Sequence, residues 1–153
     1  MRVQRVAGAA GTGDSWTVIG DDRRPVGPVE SYLGWLSDLE RSPNTVRAYA
    51  QDLKTYWVFL RARGIEWDRV TLEQLGQFTA WLRQPAENVI VLAGGPAARN
   101  SATVNRMLTA VFGFYEFHAR NGVEVVKALV DRVRSGRGGY KPFLHGIAPS
   151  RPR

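Results

Sequence analysis

The chain has 153 residues, of which 44% are hydrophobic, and its formal net charge is +7. This length and composition are typical of one folded domain with tails, and they exclude a chain that is disordered throughout. The sequence has no cysteine, which excludes a disulfide framework, a thiolate nucleophile and a cysteine-based zinc site. No apolar run approaches the roughly 18 to 20 residues of a membrane span, so we expect a soluble cytoplasmic protein.

The charge is unevenly distributed along the chain. Residues 28–131 carry eleven basic and eleven acidic side chains, whereas residues 132–153 carry six basic and no acidic ones. The surplus positive charge therefore lies in the C-terminal tail. A nucleic-acid interface on the body of the protein would have to come from one polar face and not from total charge.

The N-terminal segment, residues 1–28, begins with many glycine and alanine residues. It then offers a short extended piece, Trp16 to Ile19, and a turn that starts at Gly20. We expect a loosely held, flexible arm.

Two helices in hairpin arrangement follow. Apolar residues spaced three and four apart predict an amphipathic first helix that starts near Val29 and ends near Glu40 or Arg41. The second and longest helix has clear boundaries, because Ser42 suits an N-cap and Gly64 suits the C-terminal end. Its apolar face predicts packing, and its opposite face carries Asn44, Arg47, Gln51, Lys54 and Arg61.

Three further helices are predicted. Thr71 and Gln74 fit a capping box at the start of the third helix, which Pro85 ends. A long connection over residues 84–100 leads to a fourth helix from Ser101, and a short fifth helix follows Gly122. From Arg134 the composition is that of a linker.

The sequence thus predicts an all-α bundle of four to five helices with one shared core. The predicted core residues are Tyr32, Leu36, Tyr49, Leu53, Leu60, Leu75, Phe78, Leu108, Val111 and Tyr115.

Two blocks of sequence resemble a known family. SPNTVRAYAQDLKTYWVFLRARG, residues 42–64, and SATVNRMLTAVFGFYEFHARNG, residues 101–122, are similar to the two long helices of the core-binding, SAM-like domain of tyrosine recombinases, the phage integrase family. VTLEQLGQFTAWLR lies between them, as in that family. The resemblance implies an orthogonal SAM-like bundle over residues 29–133, preceded by an arm at 1–28 and followed by a basic interdomain linker at 134–153.

The resemblance also implies a function in recombination. In this family the core-binding domain forms half of a clamp around double-stranded DNA, and recombinase protomers meet in a synaptic assembly. Carried onto this sequence, the DNA-contacting residues would be Asn44, Thr45, Arg47, Gln51 and Lys54, Arg99, Ser101, Thr103, Asn105 and Arg106, and Arg134, Arg137 and Lys141 of the linker. Helix N-termini and hydroxyls bind phosphates, while Asn, Gln and Arg also read base edges.

Catalysis by this chain is not expected. Family members cleave DNA with a tyrosine, arginines, a lysine and histidines of a separate C-terminal domain, and none of those positions has a counterpart here. His118 and His145 lack an acidic partner at motif spacing, and four of the five tyrosines fall on apolar helix faces. We therefore expect no catalytic residue, no metal site, no cofactor, no small-molecule substrate and no membrane partner.

Two other functions fit the sequence. A helical protein–protein interaction module without DNA binding would suit the neutral body, with Trp35, Trp57 and Trp81 as exposed anchors. A monomeric regulatory DNA-binding protein of another helical family is the third possibility. In the favoured interpretation the protein is cytoplasmic and associates with the nucleoid when it is bound to DNA.

Overall fold

The computed structural model describes residues 1–8, 14–39, 41–84 and 99–135. Within this part of the chain five helices and one two-stranded sheet form, which confirms a mostly helical fold. The elements are β1 (Arg2–Val6), β2 (Ser15–Ile19), α1 (Gly27–Asp38), α2 (Pro43–Arg63), α3 (Leu72–Leu82), α4 (Ser101–Arg120) and α5 (Glu124–Ser135), with a 3-10 turn at Trp67–Arg69.

The predicted helix boundaries are confirmed by their capping interactions. The Thr45 backbone N–H donates to Ser42 Oγ at 3.2 Å, and Gly64 closes α2 in the left-handed region with φ of 65°. At α3 the Gln74 N–H donates to Thr71 Oγ1, while the Thr71 N–H donates to Gln74 Oε1. Each cap satisfies a backbone group that the helix leaves without a partner, so these ends are fixed locally.

One core joins all five helices. Nine of the ten residues predicted for it are buried; the exception, Tyr49, is half-buried and packs against the core. The core contains a hydrogen-bonded pair of tyrosines, since the hydroxyls of Tyr56 and Tyr115 lie 2.6 Å apart between α2 and α4. The prediction that Trp57 and Trp81 are exposed was wrong, because both are half-buried and pack against this core.

The expectation of a loosely held N-terminal arm was also wrong. β1 pairs with β2 in an antiparallel hairpin, with Arg2 opposite Ile19. Val18 is fully buried in the common core. The Asp21 carboxylate, which follows the hairpin, forms ion pairs with the Met1 ammonium at 2.7 Å and with Arg61 of α2 at 3.1 Å. The hairpin is therefore a packed part of the domain.

The remaining boundaries differ only slightly from the predictions. α1 ends at Asp38, a little earlier than expected, and the α5 backbone continues through Arg134 to Ser135, where the sequence predicted linker. Helix ends vary by one or two residues in this way. Residues 85–98 and 136–153, which include Pro85, Arg137, Tyr140, Lys141 and His145, lie outside the described part, and the domain limits 1–28, 29–133 and 134–153 stay predictions.

Candidate nucleic-acid interface

The predicted polar face of α2 is present on the protein surface. Asn44, Arg47 and Gln51 are exposed, and Lys54 is half-buried one turn further on. Their three- and four-residue spacing places them on one side of the helix. This side carries amide and cationic groups, which suit both phosphates and base edges.

The first turn of α2 is already capped by its own side chains. Ser42 Oγ accepts the Thr45 N–H at 3.2 Å and lies 2.9 Å from Thr45 Oγ1. The Thr45 and Val46 amides are therefore engaged and Pro43 has no N–H, so a phosphate at this end would meet Asn44.

The start of α4 has the same construction. Asn100 Oδ1 accepts the Thr103 N–H at 2.8 Å, a cap that the sequence analysis did not assign. Ser101 and Thr103, which the resemblance assigns to DNA contact, are half-buried beside it. Asn100 is exposed, so the capping side chain itself belongs to the polar surface of this helix end.

Two of the predicted arginines are held against tryptophan rings. The Arg47 guanidinium carbon lies 5.1 Å from the centroid of the Trp16 ring in β2. Arg99 lies 5.9 Å from the Trp81 ring centroid, and its Nη1 donates to the Leu82 carbonyl at 3.4 Å. Such contacts restrict a guanidinium without neutralising it. Arg47 is thus steadied by the hairpin, while the described contacts of Arg99 are with the end of α3.

An ion pair joins α2 to the exposed side of α4. Arg106 Nη2 donates to Asp52 Oδ1 at 2.8 Å, and the side chain of Asp52 is buried while that of Arg106 is 55% exposed. Burial raises the pKa of the Asp52 carboxyl above its usual value, and Arg106 offsets part of that rise. The pair brings Arg106 of α4 beside the middle of α2.

Asn105 precedes Arg106 and is half-buried. Its side-chain oxygen is buried and makes no hydrogen bond within the described part of the protein, and its backbone oxygen accepts from Thr109 Oγ1 at 2.9 Å. Asn105 and Arg106 are therefore adjacent on the part of α4 that the ion pair holds against α2.

The side chains predicted to make the tail contacts lie outside the described part of the chain. Arg134 has its backbone in the last turn of α5, but its side chain lies outside the description, as do Arg137 and Lys141 entirely. Their role in DNA contact stays a prediction from charge.

The residues that could suggest catalysis have structural surroundings. His118 is buried, its Nε2 lies 2.9 Å from the Pro28 carbonyl oxygen, and burial lowers its pKa. Burial raises the pKa values of the Tyr32, Tyr56 and Tyr115 hydroxyls. The ring of Tyr49, expected to be in the core, is half-buried. Among the described residues there is no group of three or more potential metal ligands, and no helix is long and apolar enough to cross a membrane.

Sequence reasoning missed two residues that shape this surface. Asp52 lies three residues after Tyr49 and four before Tyr56, so it falls on the side of α2 that faces the core. A carboxylate at such a position signals a buried partner. Trp16 gave no comparable signal, because its contact with Arg47 depends on the hairpin.

Comparison with known proteins identifies relatives of this chain. Residues 29–122 match the family model described as phage integrase, N-terminal SAM-like domain. Three curated proteins, each described as transposase A from transposon Tn554 of Staphylococcus aureus, are 32% identical to this chain over 152 residues. The alignment covers 99% of this chain but only 42% of each relative. No solved structure matches.

The family model covers α1 through α4, including both blocks on which the resemblance was based. That resemblance is confirmed. The chain belongs to the phage integrase family through its N-terminal SAM-like domain.

Proposed function

We propose that this chain is the core-binding domain of a tyrosine site-specific recombinase. It holds double-stranded recombination-site DNA, as an orthogonal helical bundle, for strand exchange by a C-terminal catalytic domain outside this sequence. Its partners are the duplex and other recombinase protomers, and it acts in the cytoplasm at the nucleoid. The observation that carries the proposal is the exposed polar face of α2 together with the exposed Arg106 of α4, which its ion pair with Asp52 holds against α2.

The chemistry of this surface supports contact with a duplex. Arg47 and Arg106 are both exposed and both oriented by a neighbouring side chain, Trp16 in one case and Asp52 in the other. An oriented guanidinium loses less conformational freedom on binding than a free one, and it donates in a planar fork that matches phosphate or the edge of guanine. Gln51 is exposed one turn after Arg47 on the same face of α2 and adds an amide.

A first experiment tests whether this face binds DNA. A duplex selected by the chain from a randomised pool is compared with a shuffled duplex, using fluorescence anisotropy over a range of salt concentrations. If Arg47 reads a base, Arg47→Ala should weaken binding of the selected duplex by about 1 to 3 kcal/mol. If Arg47 contacts only phosphate, the variant should weaken binding of the selected and the shuffled duplex equally.

The matched control is Arg69→Ala. Arg69 is an exposed arginine of the 3-10 turn, so the variant loses the same charge away from the α2 face. Equal losses in the two variants would show that only total charge matters, and would contradict the assignment of the α2 face.

A second experiment isolates the basic tail. Residues 136–153 contain four basic side chains, Arg137, Lys141, Arg151 and Arg153, and no acidic ones. Each neutralised phosphate adds about 0.9 to the slope of log affinity against log salt. Removing these residues should therefore flatten the slope by about 2 to 4 units and weaken the selected and shuffled duplexes alike. An unchanged slope would show that the tail does not contact phosphate.

One observation favours the alternative, a helical interaction module. Trp35 and Leu39 of α1 are 38% and 50% exposed, and they line a cavity of about 420 Å³ together with Phe117 of α4. Exposed tryptophans beside a groove are typical anchors for protein partners. If the chain bound no duplex even at low salt, this interpretation would replace the DNA-binding one.

A further inference from the structure

The Asp52 carboxylate occupies an unusual position for a charged group. Its side chain is 2% exposed, only Oδ1 has a hydrogen-bond partner, and Oδ2 is buried with none within the described part of the chain. The partner of Oδ1 is Nη2 of Arg106, which lies 54 residues further along the chain on α4. The carboxylate therefore meets one terminal nitrogen of one guanidinium.

This arrangement does not favour stability. A buried carboxylate needs several hydrogen bonds to offset its loss of hydration, and a single bond with one oxygen left bare does not supply them. The raised pKa of Asp52 agrees, since desolvation outweighs the attraction of Arg106. With a neutral residue of similar size at this position the folded protein would be at least as stable. The presence of a carboxylate therefore needs an explanation other than folding stability.

The partner of Asp52 points to that reason. The Arg106 side chain is 55% exposed although one of its nitrogens is held at 2.8 Å by a buried group. A guanidinium has five N–H donors in one rigid plane. Holding Nη2 therefore restricts the orientation of the plane, and the exposed part of the side chain leaves donors accessible to a ligand.

We propose that Asp52 is a positioning residue for DNA contact, which holds the Arg106 guanidinium in the orientation that binds the duplex. This inference rests on the proposed function, because it presumes that Arg106 contacts DNA. Asp52 acts from beneath the surface and does not touch the duplex. The carboxylate is retained although its burial lowers the stability of the fold, because the oriented arginine binds DNA better than a freely rotating one.

The proposal makes a prediction opposite to simple electrostatics. Replacing Asp52 with Asn removes a negative charge beside a DNA-binding face, so charge alone would strengthen binding. The positioning role requires weaker binding, because an amide oxygen holds Arg106 less firmly than a carboxylate does. The direction of the effect therefore distinguishes the two.

The experiment compares the full chain with Asp52→Asn, Asp52→Ala, Arg106→Ala and the double variant Asp52→Asn with Arg106→Ala. The probes are the selected and shuffled duplexes described above, and the readouts are anisotropy and thermal unfolding. Asp52→Asn should lower the affinity for the selected duplex roughly three- to tenfold, and Asp52→Ala should lower it at least as much. In the Arg106→Ala background the Asp52→Asn change should have no further effect. The melting temperature of the Asp52→Asn variant should equal or exceed that of the parent chain.

Asp38→Asn provides the matched control for charge. Asp38 is an exposed carboxylate at the end of α1, and its replacement should leave the affinity unchanged or slightly increase it. A loss comparable to that of Asp52→Asn would show that the assay does not report on Arg106.

A pH profile adds a readout that a purely structural role would not change. The charged group that faces Asp52 from α4 is the Arg106 guanidinium. Affinity for the selected duplex should fall as the pH is lowered toward the raised pKa of Asp52, and this fall should be absent in Asp52→Asn. An identical profile in both proteins would overturn the proposal.

The remaining outcomes separate the two proposals. If the parent chain binds no duplex, both fail. If the parent binds and Arg106→Ala weakens binding while Asp52→Asn leaves it unchanged or tighter, the core-binding function stands and the positioning role of Asp52 is overturned. If Asp52→Asn weakens binding equally with and without Arg106, its effect does not pass through that arginine and the proposal is also wrong.

Discussion

The two halves of the α2–α4 pair are built from different chemistry. Beyond Leu53, aromatic rings fill the space between the helices, and Tyr56 and Tyr115 pack edge to face at 6.0 Å with joined hydroxyls. Before Leu53, the ion pair of Asp52 and Arg106 also joins the two helices, beside the buried apolar residues Val46 and Ala50. One turn of helix thus separates a contact between aromatic rings from a contact between one buried and one exposed charge.

This difference indicates a division of labour within one pair of helices. In the aromatic half both tyrosine hydroxyls have partners, since the Tyr115 hydroxyl also donates to the Trp67 carbonyl at 2.6 Å. The polar half leaves two side-chain oxygens, of Asp52 and Asn105, buried without a partner in the described structure. Proteins depart from the rule that buried polar groups are paired mainly at functional sites. The first half is therefore optimised for stability, and the second half has the character of a site.

The largest expected effect comes from breaking the boundary between the halves. Leu53 is fully buried, and Leu53→Ala removes its packing and leaves a cavity, at a cost of roughly 2 to 5 kcal/mol in the free energy of unfolding. Denaturant unfolding followed by circular dichroism measures this cost. Val58→Ala, at a 41% exposed position of the same helix, should change the free energy of unfolding by less than about 1 kcal/mol. Similar costs at both positions would contradict the described core.

A finer test compares the two tyrosines of the aromatic half. Tyr115→Phe removes the hydroxyl that contacts both Tyr56 and the Trp67 carbonyl, and it leaves two buried polar groups unpaired. It should cost about 2 to 3 kcal/mol of stability, whereas Tyr56→Phe removes one hydrogen bond and should cost about 1 kcal/mol.

Neither tyrosine variant should change the affinity for DNA at a temperature where the protein is folded. The same unfolding and anisotropy measurements check this. A smaller stability cost for Tyr115→Phe than for Tyr56→Phe would show that the hydrogen bond to Trp67 is not formed in solution.

The helix ends and the core were largely predictable from the sequence. The caps at Ser42 and Gly64 and the capping box at Thr71 involve residues within a few positions of each other, so local chemistry determines them. The core followed from helical periodicity, because Tyr56 and Tyr115 repeat with the apolar residues around them. Such signals do not depend on how distant segments meet.

The candidate site was predictable only as a set of exposed polar residues. The contact of Asp52 with Arg106 spans 54 positions and that of Arg47 with Trp16 depends on a hairpin, and no local pattern encodes either one. The hairpin itself was missed because its strands, of five residues each, are short and are joined through a Gly- and Ala-rich segment that suggests a flexible arm. Sequence therefore showed which side of α2 is polar, and the structure added what orients the side chains there.

The smallest expected effect concerns acid, to which the two halves should respond in opposite directions. In the polar half, the folded state binds a proton on Asp52 more readily than the unfolded state does, so this carboxyl makes stability rise as the pH falls through its raised pKa toward 3.8. In the aromatic half, His118 is buried against the rings of Trp67 and Phe114, and burial lowers its pKa below 6.5. The unfolded state then binds the proton more readily, so stability falls as the pH drops below about 6.5.

His118→Gln tests the aromatic half of this pair of responses. The Gln side chain retains a donor for the Pro28 carbonyl, which His118 Nε2 reaches at 2.9 Å, but it does not titrate. The loss of stability between about pH 7 and pH 5 should therefore be smaller in the variant than in the parent chain. Above about pH 7 the stability of the two proteins should depend on pH in nearly the same way. Thermal unfolding over this range measures it, with Asp52→Asn as the control that should leave the His118 response intact. An unchanged acid response in His118→Gln would show that the histidine is as easily protonated in the folded protein as in the unfolded chain, which its position among the rings opposes.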